Sequence, residues 1–130
     1  MLINATTVDL ENIAPDILMV GFADMEADEE TFLVLQRPLE FPNSNYYIEV
    51  NDQSCASYGG IKKIVLTREN VSIMLEEDVQ ERLIAEGLPL EDLSESITIN
   101  FDIDDEQFEQ LQQKLQQIFD GHHCYSENLV

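Results

Sequence analysis

Basic residues are scarce in this 130-residue chain, where six Lys and Arg face 27 Asp and Glu and give a formal net charge of -21. Proteins that bind nucleic acid need a basic footprint to displace counterions from phosphates, so this charge argues against nucleic acid as a partner. Anionic membrane surfaces are disfavoured for the same reason. The excess predicts a cationic partner, such as a basic protein, or else a surface that serves only solubility.

Cysteines and long apolar runs are also few. Cys55 and Cys124 are too few for a disulfide framework, and both are expected to stay reduced. The longest apolar run, residues 17–23, is too short to span a bilayer, and the first residues lack the pattern of a secretory signal. We therefore expect a cytoplasmic protein, and a chain of this length suits a single domain.

Several segments carry apolar residues in the patterns typical of β-strands. The predicted strands are residues 17–23, 31–37, 46–50, 61–67, 71–75 and 97–103, with a weaker candidate at 5–10. Residues 68–70 read as a three-residue hairpin connection in which Asn70 is available for a left-handed position.

Two helices are predicted among these strands. The first covers residues 76–87 and stops at Gly87. The second begins at a cap formed by Asp104 or Asp105 and ends near Gly121. Its apolar stripe consists of Phe108, Leu111, Leu115, Ile118 and Phe119. The order predicts a single α+β domain, a largely antiparallel sheet with two helices packed on it, in which residues 1–15 and 122–130 are peripheral or flexible.

Candidates for catalysis and metal binding are weak. Cys55 could act as a nucleophile if His122 or His123 supplied a base, but it lies in no nucleophile motif. Residues 122–124 (HHC) together with Cys55 lack the spacing of a zinc site, although metal binding by this tail stays open. The acidic segment 24–30 has Glu29 where a calcium-binding loop needs glycine. We therefore predict no catalytic residues, no cofactor and no metal site.

A polar segment at residues 51–60 interrupts two apolar runs and admits two interpretations. Asn51 and Asp52 can hydrogen-bond the backbone two residues on, and Gly59 and Gly60 permit unusual backbone angles, which favours an ordered corner. Tyrosines near this segment, Tyr46 included, have the amphipathic rings that protein interfaces use. The residues predicted to contact a partner are Tyr47, Asp52, Gln53, Ser54 and Tyr58.

The same region carries a family resemblance. YYIEVNDQ (46–53) followed by YGGIKKIVLT (58–67) is similar to the immunity protein 10 family of bacterial polymorphic-toxin systems. The resemblance extends to VGFAD (20–24), LVLQRPLEF (33–41), INFDID (99–104) and FEQLQQKLQQIFDG (108–121). Residues 1–15 and the tail after Gly121 lie outside it.

The resemblance implies a small cytoplasmic protein that binds and neutralises a toxin encoded beside it, and it implies no catalytic residues. An acidic surface suits this role, because complementary charge accelerates encounter with a basic toxin. An alternative is an acidic adaptor or DNA mimic that occupies the basic groove of a nucleic-acid-binding protein, with carboxylates from residues 76–81 and 102–109. An enzyme that uses Cys55 is the third hypothesis.

Overall fold

The fold is described by a computed structural model for residues 1–12, 14–27, 30–39, 45–90 and 95–129. These residues form ten strands and two helices. The strands are β1 (Leu2–Asn4), β2 (Thr7–Asp9), β3 (Ile17–Asp24), β4 (Thr31–Pro38), β5 (Tyr47–Val50), β6 (Asp52–Tyr58), β7 (Ile61–Leu66), β8 (Asn70–Leu75), β9 (Ile97–Asn100) and β10 (Tyr125–Glu127). The helices are α1 (Glu77–Ala85) and α2 (Asp105–Ile118). The predicted α+β class is confirmed.

The strands divide into two five-stranded sheets. The meander sheet has the order β2-β3-β4-β5-β6, and every neighbouring pair in it is antiparallel. Val20, Leu35 and Ile48 are fully buried on its inner face, and the side chains of β5 alternate between the two faces. The buried face contributes to one apolar core shared with the second sheet.

The mixed sheet has the order β1-β9-β8-β7-β10 and contains both ends of the chain. β1 runs parallel to β9, and β10 runs parallel to β7, so the two edge strands join a central antiparallel unit. The predicted loose tail is therefore wrong for residues 125–127, which pair along β7. At the other end, Ile3 is 1% exposed and belongs to the core.

Helix α2 forms as its sequence predicts. Asp104 caps it by accepting a hydrogen bond from the Gln107 backbone, and the Gln107 side chain accepts one from the Asp104 backbone in return. Its apolar stripe is buried. At its C-terminal end, Nη1 of Arg37 donates hydrogen bonds to the carbonyl oxygens of Ile118 and Asp120, which otherwise lack helical partners. Neither described helix is long and apolar enough to cross a membrane.

The polar segment has the predicted hydrogen bond from the Ser54 backbone to Asp52 and positive φ at Gly59 and Gly60, but most of it forms a strand. Asn51 makes a tight turn with φ of 65°, and the residues that follow pair as strand β6 instead of forming a loop. Asn51 is held there by β4, because Phe32 donates to Oδ1 of Asn51 and accepts a hydrogen bond from its backbone N–H. The hairpin between β7 and β8 forms, but Asn70 does not take the left-handed position available to it, since it is the first residue of β8.

Candidate partner-binding site

A row of side chains crosses the outer face of the meander sheet. Gln36 of β4 lies opposite Tyr47 of β5, and Tyr47 lies opposite Tyr58 of β6. The alternation that buries Ile48 on the inner face places these three side chains on the outer one. The two tyrosine rings are tilted by 51° with centroids 5.0 Å apart, and Tyr58 is 75% exposed. The sheet therefore presents a tyrosine pair to solvent.

Glu49 lies beside this pair on the same face. The Tyr47 hydroxyl donates a 2.5 Å hydrogen bond to Oε1 of Glu49. Burial, together with this bond to a carboxylate, raises the pKa of Tyr47 to about 12. At neutral pH the hydroxyl is therefore protonated and continues to hold the Glu49 carboxylate in one orientation.

These residues line a cleft of about 330 Å³, which we call the tyrosine cleft. Its lining consists of Ile17, Gln36, Pro38, Tyr47, Glu49, Gln53 and Tyr58. Gln53 reaches the cleft because the pairing register of β5 with β6 shifts between Glu49 and Val50. The cleft is thus built from four antiparallel strands, β3 to β6, together with the irregularity in the last of them.

The structure divides the predicted contact residues into two groups. Tyr47, Gln53 and Tyr58 line the tyrosine cleft. Asp52 and Ser54 instead line a smaller cavity of about 100 Å³ against residues 86–89, which follow α1. There Oδ1 of Asp52 accepts a 2.9 Å hydrogen bond from the backbone N–H of Ser54, and this bond orders the backbone at the start of β6.

Tyr46 does not belong to the surface. It is 3% exposed, and its hydroxyl accepts a 2.8 Å hydrogen bond from the backbone N–H of Ile61. Burial raises the pKa of Tyr46 to about 12. The interpretation of this tyrosine as an interface residue is wrong, because it precedes β5 on the inward-facing side of the alternation.

The cleft also contains residues that the sequence did not single out as contacts, namely Ile17, Gln36, Pro38 and Glu49. Glu49 could have been found from strand alternation, since it shares a face with Tyr47. Gln36 and Ile17 could not, because their proximity depends on the pairing of β3, β4 and β5, which no local pattern reveals.

Four of the six Lys and Arg residues bind backbone carbonyl oxygens. Arg37, Arg82 and Lys114 donate to carbonyl oxygens, and Arg68 binds both a carbonyl and the Asp105 carboxylate. Within the described ranges the ion pairs are Arg68–Asp105 and that of the N-terminal ammonium with Glu95. Most carboxylates of the described residues therefore have no ion-pair partner among those residues.

The candidate nucleophile is placed unfavourably for catalysis. Cys55 is 4% exposed, and its Sγ lies 3.5 Å from the Leu83 carbonyl oxygen. Burial raises the pKa of the thiol, and the nearby carboxylates of Asp52 and Glu86 raise it further. In the part of the chain that the structure describes, no hydrogen bond joins Cys55 to a histidine.

The C-terminal histidine segment packs against the core. The His122 ring meets the Tyr46 ring edge-on, with centroids 4.9 Å apart. Burial lowers the pKa of His122, and the Arg37 charge adds to that effect. Among the described residues, no group of three or more His, Cys, Asp or Glu side chains is arranged to hold a metal ion.

Comparison with protein-family models identifies a match over most of the chain. The family model described as immunity protein 10 matches residues 4–109. The match includes residues 4–15, so the expectation that the first fifteen residues lie outside the family pattern is wrong for these residues. The match ends at residue 109, within α2. No curated protein and no solved structure matches the chain.

Proposed function

Because the chain belongs to the immunity protein 10 family, we propose that it binds and neutralises a cognate bacterial toxin through a non-catalytic protein–protein interaction. It would act in the cytoplasm of the cell that makes the toxin. Family membership is the observation that carries the proposal. The buried, hydrogen-bonded thiol of Cys55 is consistent with an inhibitor that acts by docking.

Electrostatics supports a toxin with a basic surface. The net charge is -21, and four of the six cations are bound to the protein's own carbonyls. An electrostatic field of one sign raises the rate of encounter with an oppositely charged partner. The same field repels proteins of like charge and so disfavours binding to them. Association should therefore slow as salt rises, because exposed charges are screened beyond about 10 Å at 0.1 M ionic strength.

The contact surface that we propose centres on the tyrosine cleft. Tyr58 is the most exposed of the large apolar side chains that the structure describes. Tyrosine is enriched among the residues that dominate binding energy at interfaces. Asp52 and Ser54 remain proposed contacts at the neighbouring cavity, where they lie exposed at the start of β6.

Co-expression with the toxin encoded beside this protein is the direct test. We expect growth to be restored when both are made, and a one-to-one complex to be measured by calorimetry with an affinity that falls as salt increases. If cells die at the same rate with and without this protein, the proposed function is wrong.

A DNA mimic is the second candidate. The first turns of α1 and α2 both expose carboxylates, from Glu77 and Asp78 and from Asp105 and Glu106. If these carboxylates imitate phosphates, duplex DNA should compete with this protein for the isolated partner. Competition would favour the mimic, whereas binding that duplex DNA leaves unchanged would favour a toxin that does not act on nucleic acid.

A further inference from the structure

We propose that the tyrosine cleft receives a single arginine side chain of the partner, stacked on the tyrosine pair and bound through its guanidinium to Glu49. This inference rests on the proposed function for the identity of the partner. The cleft itself, with its volume of about 330 Å³, lies at the lower limit of small-molecule sites and suits one side chain better than a folded segment.

The Glu49 carboxylate has one oxygen free for such a contact. Oε1 accepts the Tyr47 hydroxyl, whereas Oε2 makes no hydrogen bond to any residue that the structure describes. Glu49 forms no ion pair with any residue that the structure describes. A fixed, unpaired carboxylate in a partly enclosed cleft favours a cation, and the hydrogen bonds made to it are charge-assisted.

The tyrosine pair supplies a surface that a guanidinium can stack on. Tyr47 and Tyr58 lie 5.0 Å apart by ring centroid, and the exposed Tyr58 ring forms one side of the cleft. Arginine stacks on aromatic faces because its guanidinium is planar and weakly hydrated. An ammonium is a compact, strongly hydrated point charge and gains less from such a surface.

Two amides complete the set of acceptors. Gln36 and Gln53 line the same cleft, and neither side chain is hydrogen-bonded within the described ranges. With Oε2 of Glu49, their carbonyl oxygens offer three acceptors around one space. A guanidinium carries five N–H donors in a fixed plane and can satisfy several acceptors at once, whereas an ammonium carries three.

The first experiment needs no toxin. The folded protein is titrated with N-acetylarginine amide, N-acetyllysine amide and the neutral analogue N-acetylcitrulline amide, and backbone amide shifts are followed by NMR. We expect saturable shifts confined to the strands around Tyr47, Gln53 and Tyr58, strongest for the arginine probe and absent for the citrulline probe. Equal or tighter binding of the lysine probe, or shifts spread over the acidic surface, would overturn the assignment to arginine.

Variants then identify the groups responsible. Glu49→Gln should weaken binding of the arginine probe at least about tenfold, since it removes a charged acceptor. Glu69→Gln removes the same charge from an exposed position between β7 and β8 of the other sheet and should leave binding unchanged. Tyr58→Ala should abolish stacking, whereas Tyr58→Phe keeps the ring and should bind as the parent protein does. Thermal unfolding of each variant separates lost binding from lost fold.

The same variants separate this inference from the proposed function. If the parent protein neutralises the toxin and Glu49→Gln weakens the complex while Glu69→Gln does not, both proposals stand. If Glu49→Gln binds the toxin as tightly as the parent, the arginine site is wrong and the immunity function stands. If the parent protein fails to neutralise the toxin, the function is wrong, and the probe titration still decides whether the cleft binds a guanidinium.

Discussion

The hydroxyl of Tyr46 and the backbone N–H of Ile61 are joined by a 2.8 Å hydrogen bond that links the two sheets. Tyr46 immediately precedes β5 of the meander sheet, and Ile61 is the first residue of β7 in the mixed sheet. Both residues are buried. A donor buried without a partner is costly, so this bond stabilises the corner at which the chain passes from one sheet to the other.

Tyr46→Phe should therefore lower the free energy of unfolding by about 1–3 kcal/mol, because it leaves the Ile61 N–H unpaired in the core. Urea denaturation measures the loss. Tyr58→Phe is the matched control, since this hydroxyl is highly exposed and makes no hydrogen bond within the described residues, and it should change stability little. Equal stability of the two variants would contradict the role assigned to the bond.

Gly60→Ala should destabilise the protein more than Gly87→Ala. Both glycines have positive φ, 89° and 111°, so both variants incur the backbone cost of roughly 1–2 kcal/mol. A Cβ on Gly60 would lie 2.6 Å from Cγ2 of Val79 in α1, whereas a Cβ on Gly87 would meet nothing within 4 Å. We expect overpacking to add about 1–3 kcal/mol at Gly60 alone.

Thermal unfolding of these two glycine variants, measured side by side, gives the steric contribution as a difference. If both variants lose the same free energy of unfolding, Gly60 and Val79 of α1 are less tightly packed than the structure indicates.

Protonation of Glu127 should lower the free energy of unfolding at acid pH. Burial raises its pKa, but hydrogen bonds from Tyr125, Gln116 and Gln112 outweigh that effect and hold the pKa below its usual value of 4.5. A carboxyl group whose pKa is lower in the folded state than in the unfolded state stabilises the fold at pH values above its unfolded-state pKa. That stabilisation is lost as the pH falls through the folded-state pKa. The stability difference between the parent and Glu127→Gln should be full above pH 4.5 and shrink below it.

Denaturant titrations at several pH values between neutrality and pH 3 test this dependence. Glu109→Gln, an exposed change of the same kind on α2, provides the control and should show no such trend. A difference for Glu127→Gln that stays constant down to low pH would mean that the carboxyl does not titrate as described.

Cys55 should react with thiol reagents only when the protein unfolds. It is buried against the Leu83 carbonyl, and burial with the neighbouring carboxylates Asp52 and Glu86 raises its pKa, so little thiolate is present at neutral pH. The test uses Cys124→Ser, which isolates Cys55, and follows labelling by a chromogenic disulfide. Fast stoichiometric labelling of the folded variant would contradict this placement and revive the enzyme hypothesis.

Local patterns predicted much of this fold. The alternation of Ile48 and Val50 against Tyr47 and Glu49 is maintained in β5, because neighbouring side chains on a strand must face opposite sides. The capped second helix also formed as predicted, since its cap and apolar stripe are both local in sequence. Some boundaries shifted by a few residues, as in β9, which ends at Asn100 where the pattern predicted a strand to residue 103.

The candidate site was predicted only in part. Tyr47, Gln53 and Tyr58 converge on the cleft, but Asp52 and Ser54 face a different cavity because the register of β5 and β6 shifts between Glu49 and Val50. A register shift depends on how two strands fit against a shared core, so no periodicity within one strand reports it.

The charge, the strand alternation, the second helix and the family pattern could all be read from the amino-acid order, because each depends on composition or on residues a few positions apart. The division into two sheets, the parallel pairing of both chain ends and the meeting of Gln36 with Tyr47 and Tyr58 required the folded chain. These features join residues distant in sequence, and their partners are selected by the burial of a common core, to which many side chains contribute at once.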